Sequence, residues 1–305
     1  MPDVPTLRGI VPSLNTPFLP DGRIDIGGLG RLVDHTVAAG CAGMLILAVA
    51  SEMATLSLNE RRCAAKAIVE RNAGRIPIVL SVTADDPAMR RALARFGREL
   101  GVLALCCQVP AGLSGMALEA ELREIAEAGP GLLMIQDLDW SGSGLAIATI
   151  QSLFERLPAF RFLKLETVPS GPKYTSVLEA TGGRLHVSGG WAVAQMMEAL
   201  ARGVHAFMPT GFEPIYVTIY RHWIAGRAAE AEALFERLLP VLAFTNQHIH
   251  VSIRFLKQLR RAEGLFATDL CRPPVPEFDA FQQHQADRLL TRALELQDAV
   301  RRDIV

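Results

Sequence analysis

In the run Phe160-Arg161-Phe162-Leu163-Lys164-Leu165-Glu166 an amine interrupts a hydrophobic segment near its C-terminal end. Of the 31 Lys and Arg residues only Lys66, Lys164, Lys173 and Lys257 are lysines, so arginine carries the ordinary surface charge and a lysine here needs another reason. Chemistry supplies one: a partly desolvated amine can lose its proton and attack a carbonyl, whereas a guanidinium keeps its proton. Lys164 is therefore the candidate nucleophile for a Schiff base. The pattern alone equally allows a strand-end lysine paired with Glu166 or reaching to solvent.

The elements that must position this lysine are legible as a period. Eight short apolar runs, at 9–14, 43–48, 77–83, 102–108, 132–136, 161–165, 185–188 and 206–208, alternate with amphipathic stretches such as 85–100 and 192–201. That alternation marks repeated βα units and a parallel sheet, and eight of them predict an α/β fold, a (β/α)8 TIM barrel over residues 1–217. Beyond residue 218 the texture becomes helical at 228–242, 246–263 and 281–300, with Pro273, Pro274 and Pro276 breaking the chain before the last, which predicts a C-terminal helical extension, 218–305, packed on the barrel. In such barrels the chemistry sits at the C-terminal ends of the strands.

Composition narrows the partner. A formal charge of −1 with interspersed signs provides no basic stripe for nucleic acid, and no apolar stretch is long enough to span a bilayer. The first residues lack the layout of a secretory signal, so the cytoplasm is the default location. The five cysteines have no paired spacing and are expected to be reduced, and the seven histidines show no ligand spacing. His248 and His250 are expected within one helix, where such neighbours point apart. Neither a metal nor a cofactor is expected, and no phosphate or dinucleotide fingerprint is present. A small molecule is the implied partner.

Further motifs sharpen the reading. Asn15-Thr16-Pro17-Phe18 closes the first run, Ala48-Val49-Ala50-Ser51-Glu52 follows the second, and Leu56-Ser57 and Glu60-Arg61 come next. With Phe162-Leu163-Lys164-Leu165-Glu166 and Ser188-Gly189-Gly190, these make the chain resemble the dihydrodipicolinate synthase and N-acetylneuraminate lyase family of class I aldolases over residues 11–264. The resemblance implies an imine between Lys164 and a pyruvate-type 2-keto acid, followed by C–C bond making, C–C cleavage or dehydration. It also implies a homotetramer or homodimer.

The departures matter as much. Val49 and Ala50 stand where the family places two threonine hydroxyls, leaving the backbone amides around Ala50 and Ser51 to hold a carboxylate. Gln136-Asp137 stands where the family has Tyr-Asn, and an amide can orient a hydroxyl or an imine but cannot shuttle protons as a phenol does. No arginine for a second carboxylate appears in residues 139–144. Together with Lys164-Leu165-Glu166-Thr167, these departures make the chain most similar to the 2-keto-3-deoxy sugar-acid dehydratases of the family, those acting on keto-deoxyarabonate-type acids.

Gln136 and Asp137 are accordingly expected beside Lys164 in catalysis. Ala50, Ser51, Glu52, Glu166, Ser188, Gly189, Trp140 and Trp191 are expected to bind substrate. Each has a plainer alternative: Glu52 and Glu166 as structural hydrogen-bonding groups, Asp137 as a loop cap, the glycines as turn formers, the tryptophans as core. Lys257 is expected to be structural or surface-facing. Three functions stand: a lyase acting as dehydratase or aldolase on a keto-deoxy sugar acid, a dihydrodipicolinate-forming synthase, and a keto-acid-binding protein without catalysis.

Overall fold

The computed structural model describes residues 7–302. Eight strands belong to one eight-stranded sheet and alternate with helices, the (β/α)8 type that the sequence period predicts, followed by further helices. The strands are β1 (Gly9–Ile10), β2 (Met44–Ile46), β3 (Ile78–Ser81), β4 (Ala104–Gln108), β5 (Leu133–Asp139), β6 (Phe160–Thr167), β7 (His186–Gly189) and β8 (Ala206–Phe207). Contacts divide the chain into two compact units, one of residues 7–8 and 77–208 and one of residues 9–76 and 209–302. The helix Glu213–Ile224 runs through the boundary expected at residue 218.

The first unit contains β3 to β8, every neighbouring pair parallel. β5 and β6 have the longest register, from Leu133 opposite Phe160 to Asp139 opposite Thr167. Both faces of β6 are covered, and every residue but Arg161 is buried, as its apolar run requires. The helices start on sequence signals: Asp86 caps Pro87–Leu100 through Ala88 N, with proline in its first turn. The expected helix 192–201 forms only as Met196–Ala201, because Trp191 and Val193 adopt left-handed φ of 56° and 55°.

In the second unit Asp25 caps Ile26–Ala38, and Ser57 and Glu60 form a reciprocal capping box on Leu58–Asn72. The run 9–14 is a strand only at its start: Pro12 has no N–H for a ladder, although its carbonyl accepts from Leu45 N at 2.9 Å. The helical texture past residue 218 is found as Ala228–Thr245, Ile249–Ala262 and Ala280–Arg302. His248 precedes the second of these as its cap, accepting from His250 N, so the two imidazoles meet edge to face at 4.6 Å instead of pointing apart. No helix among the described residues is long and apolar enough to cross a membrane.

Candidate active site

Lys164 lies in the C-terminal half of β6, between Gln136 of β5 and Ser188 of β7 in register. Residues in register on parallel neighbours point to the same face, so these three side chains share one side of the sheet with Glu166, two positions along. Lys164 is 4% exposed, and its Nζ lies 3.4 Å from Glu166 Oε2. The amide Nε2 of Gln136 donates to the same oxygen, and Trp191 N donates to Glu166 Oε1 at 2.7 Å. A carboxylate held on both oxygens beside a buried amine is equipped to exchange a proton with whatever that amine binds. Gln136 Oε1 is buried and has no hydrogen-bond partner among the described residues. An unmet buried acceptor is costly, and a donor hydroxyl would satisfy it.

The backbone beyond β7 is shaped to this carboxylate. A Cβ on Gly190 would collide with the Glu166 carboxyl, so glycine lets the chain come close enough for the next amide to donate. Trp191 then takes a left-handed φ, and its ring packs tilted against that of Trp140, with centroids 4.4 Å apart. Ser188 Oγ donates to Leu163 O at 3.1 Å, tying β7 to β6. Gly189 serves packing: the space a Cβ would need is occupied by the Tyr174 hydroxyl, and the Gly189 carbonyl accepts from Met208 N.

Asp137, expected beside Lys164 in catalysis, is turned away from Lys164. Successive residues on a strand face opposite sides, and its carboxylate meets Lys173 Nζ at 2.5 Å on the far side from Gln136. Its other oxygen accepts from Leu145 N at 3.0 Å, and Lys173 also donates to Ser143 O. Asp137 and Lys173 thus tie down the loop after β5. The scarcity of lysine was the only signal for Lys173, which the sequence reading left without a role.

In the second unit Val49–Ser51 form a 3-10 turn, and the Ser51 N–H, expected with that of Ala50 to hold a carboxylate, donates to Ala48 O at 3.0 Å. Asn15 Nδ2 donates to Ala50 O at 3.0 Å, and Ser51 Oγ donates to Leu14 O at 2.5 Å, so the Ser51 hydroxyl is already committed. Glu52, expected to bind substrate, is buried against protein groups: Lys257 Nζ pairs with Oε1, and Arg272 N donates to Oε2 at 2.7 Å. Lys257 is therefore fully buried rather than surface-facing, and it also lies 4.1 Å from the centre of the Phe18 ring. Burial pushes its ammonium below the usual lysine range, and Glu52 opposes that shift. Three of the four lysines, all but Lys66, are thus interior.

The family model of the dihydrodipicolinate synthetase family matches residues 6–293. L-2-keto-3-deoxyarabonate dehydratase of Azospirillum brasilense is 26% identical over 282 residues, 90% of either chain. A 4-hydroxy-tetrahydrodipicolinate synthase of Azoarcus sp. (strain BH72) is 33% identical over 124 residues, 40% of this chain and 42% of that one. Among solved structures, dihydrodipicolinate synthase from Rhodopseudomonas palustris aligns with a TM-score of 0.88 at 23% identity, over 95% of this chain and 98% of the other. Ruminococcus gnavus sialic acid aldolase aligns with a TM-score of 0.86 at 17% identity, over 96% and 99%. At these identities the structural likeness carries the barrel fold.

Proposed function

Since this chain belongs to the dihydrodipicolinate synthetase family and is a lyase, we propose that it forms a Schiff base between Lys164 and a 2-keto-3-deoxy sugar acid and eliminates water from it. The observation that carries this reading is the buried Lys164 amine beside a Glu166 carboxylate held by Gln136 and Trp191. The similarity to L-2-keto-3-deoxyarabonate dehydratase along 90% of the chain supports the substrate class.

The neutral Lys164 amine adds to the C2 carbonyl, and loss of water gives a protonated imine. That cation makes the C3 proton acidic. Glu166 accepts it, and the C3–H electron pair becomes the enamine double bond. The enamine then expels the C4 hydroxyl, and Glu166 returns its proton so that water leaves. Gln136 Oε1 accepts a hydrogen bond from a substrate hydroxyl and so selects which group is presented for departure. Asp137 keeps the loop beyond β5 in place through Lys173.

Pyruvate with aspartate semialdehyde needs a cationic hold on a second carboxylate, which residues 139–144 do not offer. Turnover of a panel of keto-deoxy sugar acids, measured beside synthase activity on pyruvate and aspartate semialdehyde, tests the reading. Faster consumption of a sugar acid supports it, and faster synthase turnover overturns it. The family resemblance also supports a homodimer or homotetramer, which sedimentation checks.

A further inference from the structure

Two tryptophans meet across the end of the strand that carries the amine. Trp140 follows β5, Trp191 follows β7, and β6 lies between them in the sheet. The ring centroids lie 4.4 Å apart with planes tilted by 38°, and the Trp191 amide donates to Glu166, which carries the Lys164 amine's partner carboxylate.

Neither ring is placed by chance. The loop bearing Trp140 is pinned at successive points: Asp139 accepts from Ser141 N and Gly144 N, Val168 N donates to Gly142 O, and Asp137 with Lys173 holds Leu145 and Ser143. Trp191 has a left-handed backbone that a bulky residue adopts only when its surroundings enforce it. The Glu166 carboxylate on its N–H and Trp140 on its ring supply that force. Yet Trp140 is still 38% exposed, a large flat apolar surface against Trp191, whose amide is held by Glu166.

A flat indole pair linked through Glu166 to a hydroxyl-seeking amide suits a chain with one apolar C–H face and one hydroxylated edge. We propose that the Trp140–Trp191 pair is a specificity-determining element that stacks on the C–H face of a polyhydroxylated carbon chain. It is coupled to the chemistry because the Trp191 amide holds Glu166. This rests on the sugar-acid reading above and adds the element that distinguishes a long hydroxylated substrate from pyruvate, which has no such chain.

The test compares Trp140→Leu, which keeps apolar bulk without an aromatic face, with Trp140→Phe, which keeps a face, both in a Trp223→Phe background. Three readouts are used: kcat/KM on a five-carbon keto-deoxy sugar acid, the rate of borohydride trapping with pyruvate, and quenching of indole fluorescence by arabonate, which has the hydroxyls but no ketone. Trp140→Leu is expected to lose about tenfold in kcat/KM, chiefly through KM, and about tenfold in arabonate affinity, on the scale of a lost aromatic stack. Its loss in pyruvate trapping should be at least about fivefold smaller, and Trp140→Phe should recover most of the sugar-acid activity. Equal losses on sugar acid and pyruvate would reduce the pair to a structural strut and overturn the proposal. Unchanged sugar-acid kinetics in Trp140→Leu would overturn it too. If the wild type neither trapped pyruvate nor turned over any sugar acid, the Schiff-base reading would fall, and arabonate would decide the stacking element alone: affinity lost in Trp140→Leu and kept in Trp140→Phe supports it, and affinity unchanged or undetectable in the wild type overturns it.

Discussion

Lys164 Nζ and Glu166 Oε2 lie 3.4 Å apart on the same face of one strand, two residues removed from each other. A strand places alternate side chains together, so the proposed nucleophile and the proposed proton acceptor come from a single element and keep their spacing without a loop between them. Glu166→Gln retains an oxygen for the Trp191 amide but cannot take a proton. It is expected to cut dehydration by about 10²-fold or more, the scale of general base catalysis, while borohydride trapping at Lys164 persists. Steady-state turnover set beside trapping measures the split; loss of trapping to the same extent would move Glu166 from proton transfer to placement of the lysine.

Gln136 gives Glu166 a donor and leaves its own oxygen buried without a partner among the described residues. Gln136→Leu removes both and is expected to lower turnover on the best keto-deoxy acid by more than about tenfold. Kinetics on the purified variant check this, and turnover within a factor of two of wild type would remove Gln136 from the mechanism.

The buried strand position of Lys164 was legible because a lysine inside an apolar run is costly and lysine is rare in this chain. Gln136 was legible only through family resemblance. For Asp137 the plainer alternative, a loop cap, fits the structure and the catalytic expectation does not: adjacent residues of one strand cannot both face Lys164, and its partner Lys173 comes from the helix Ser170–Ala180. That pairing depends on how helix and strand pack, which no local pattern encodes. The burial of Lys257 against Glu52 was hidden for the same reason, since a helical lysine reads as a solvated one until its neighbours are known. The left-handed turn at Trp191 had a partial signal in Gly189-Gly190, but what fixes it is a carboxylate on a different strand.

Lys257→Met leaves the Glu52 carboxylate buried without its cation. Destabilisation of roughly 3–5 kcal/mol is expected, the usual cost of removing one partner of a buried pair. Adding Glu52→Gln should recover part of it. Urea unfolding of both variants checks this, and a midpoint for Lys257→Met equal to that of wild type would contradict the pairing.

His186 and His205 stack with ring centroids 4.9 Å apart, and His186 Nε2 meets Leu7 O at 2.7 Å. Burial lowers both imidazoles, that of His186 to about 4 from 6.5. The folded state therefore binds fewer protons than the unfolded chain between these values. The contribution of His186 is complete well above pH 6.5 and is lost as pH falls toward 4, the loss reaching roughly 2–3 kcal/mol at pH 4.5. His186→Gln keeps a donor for Leu7 O without the titration, so it should lose less thermal stability than wild type between pH 7 and pH 4.5. Parallel melting curves would contradict the assignment.

The most direct measurement is the address of the trapped ketone. Purified protein treated with pyruvate and sodium borohydride should gain one covalent adduct on the peptide containing Lys164, and Lys164→Ala should gain none. Lys164→Arg should also fail, because a guanidinium keeps its proton. No adduct on the wild type, or an adduct that persists in Lys164→Ala at Lys173, Lys257 or Lys66, would contradict a Schiff base at the end of β6.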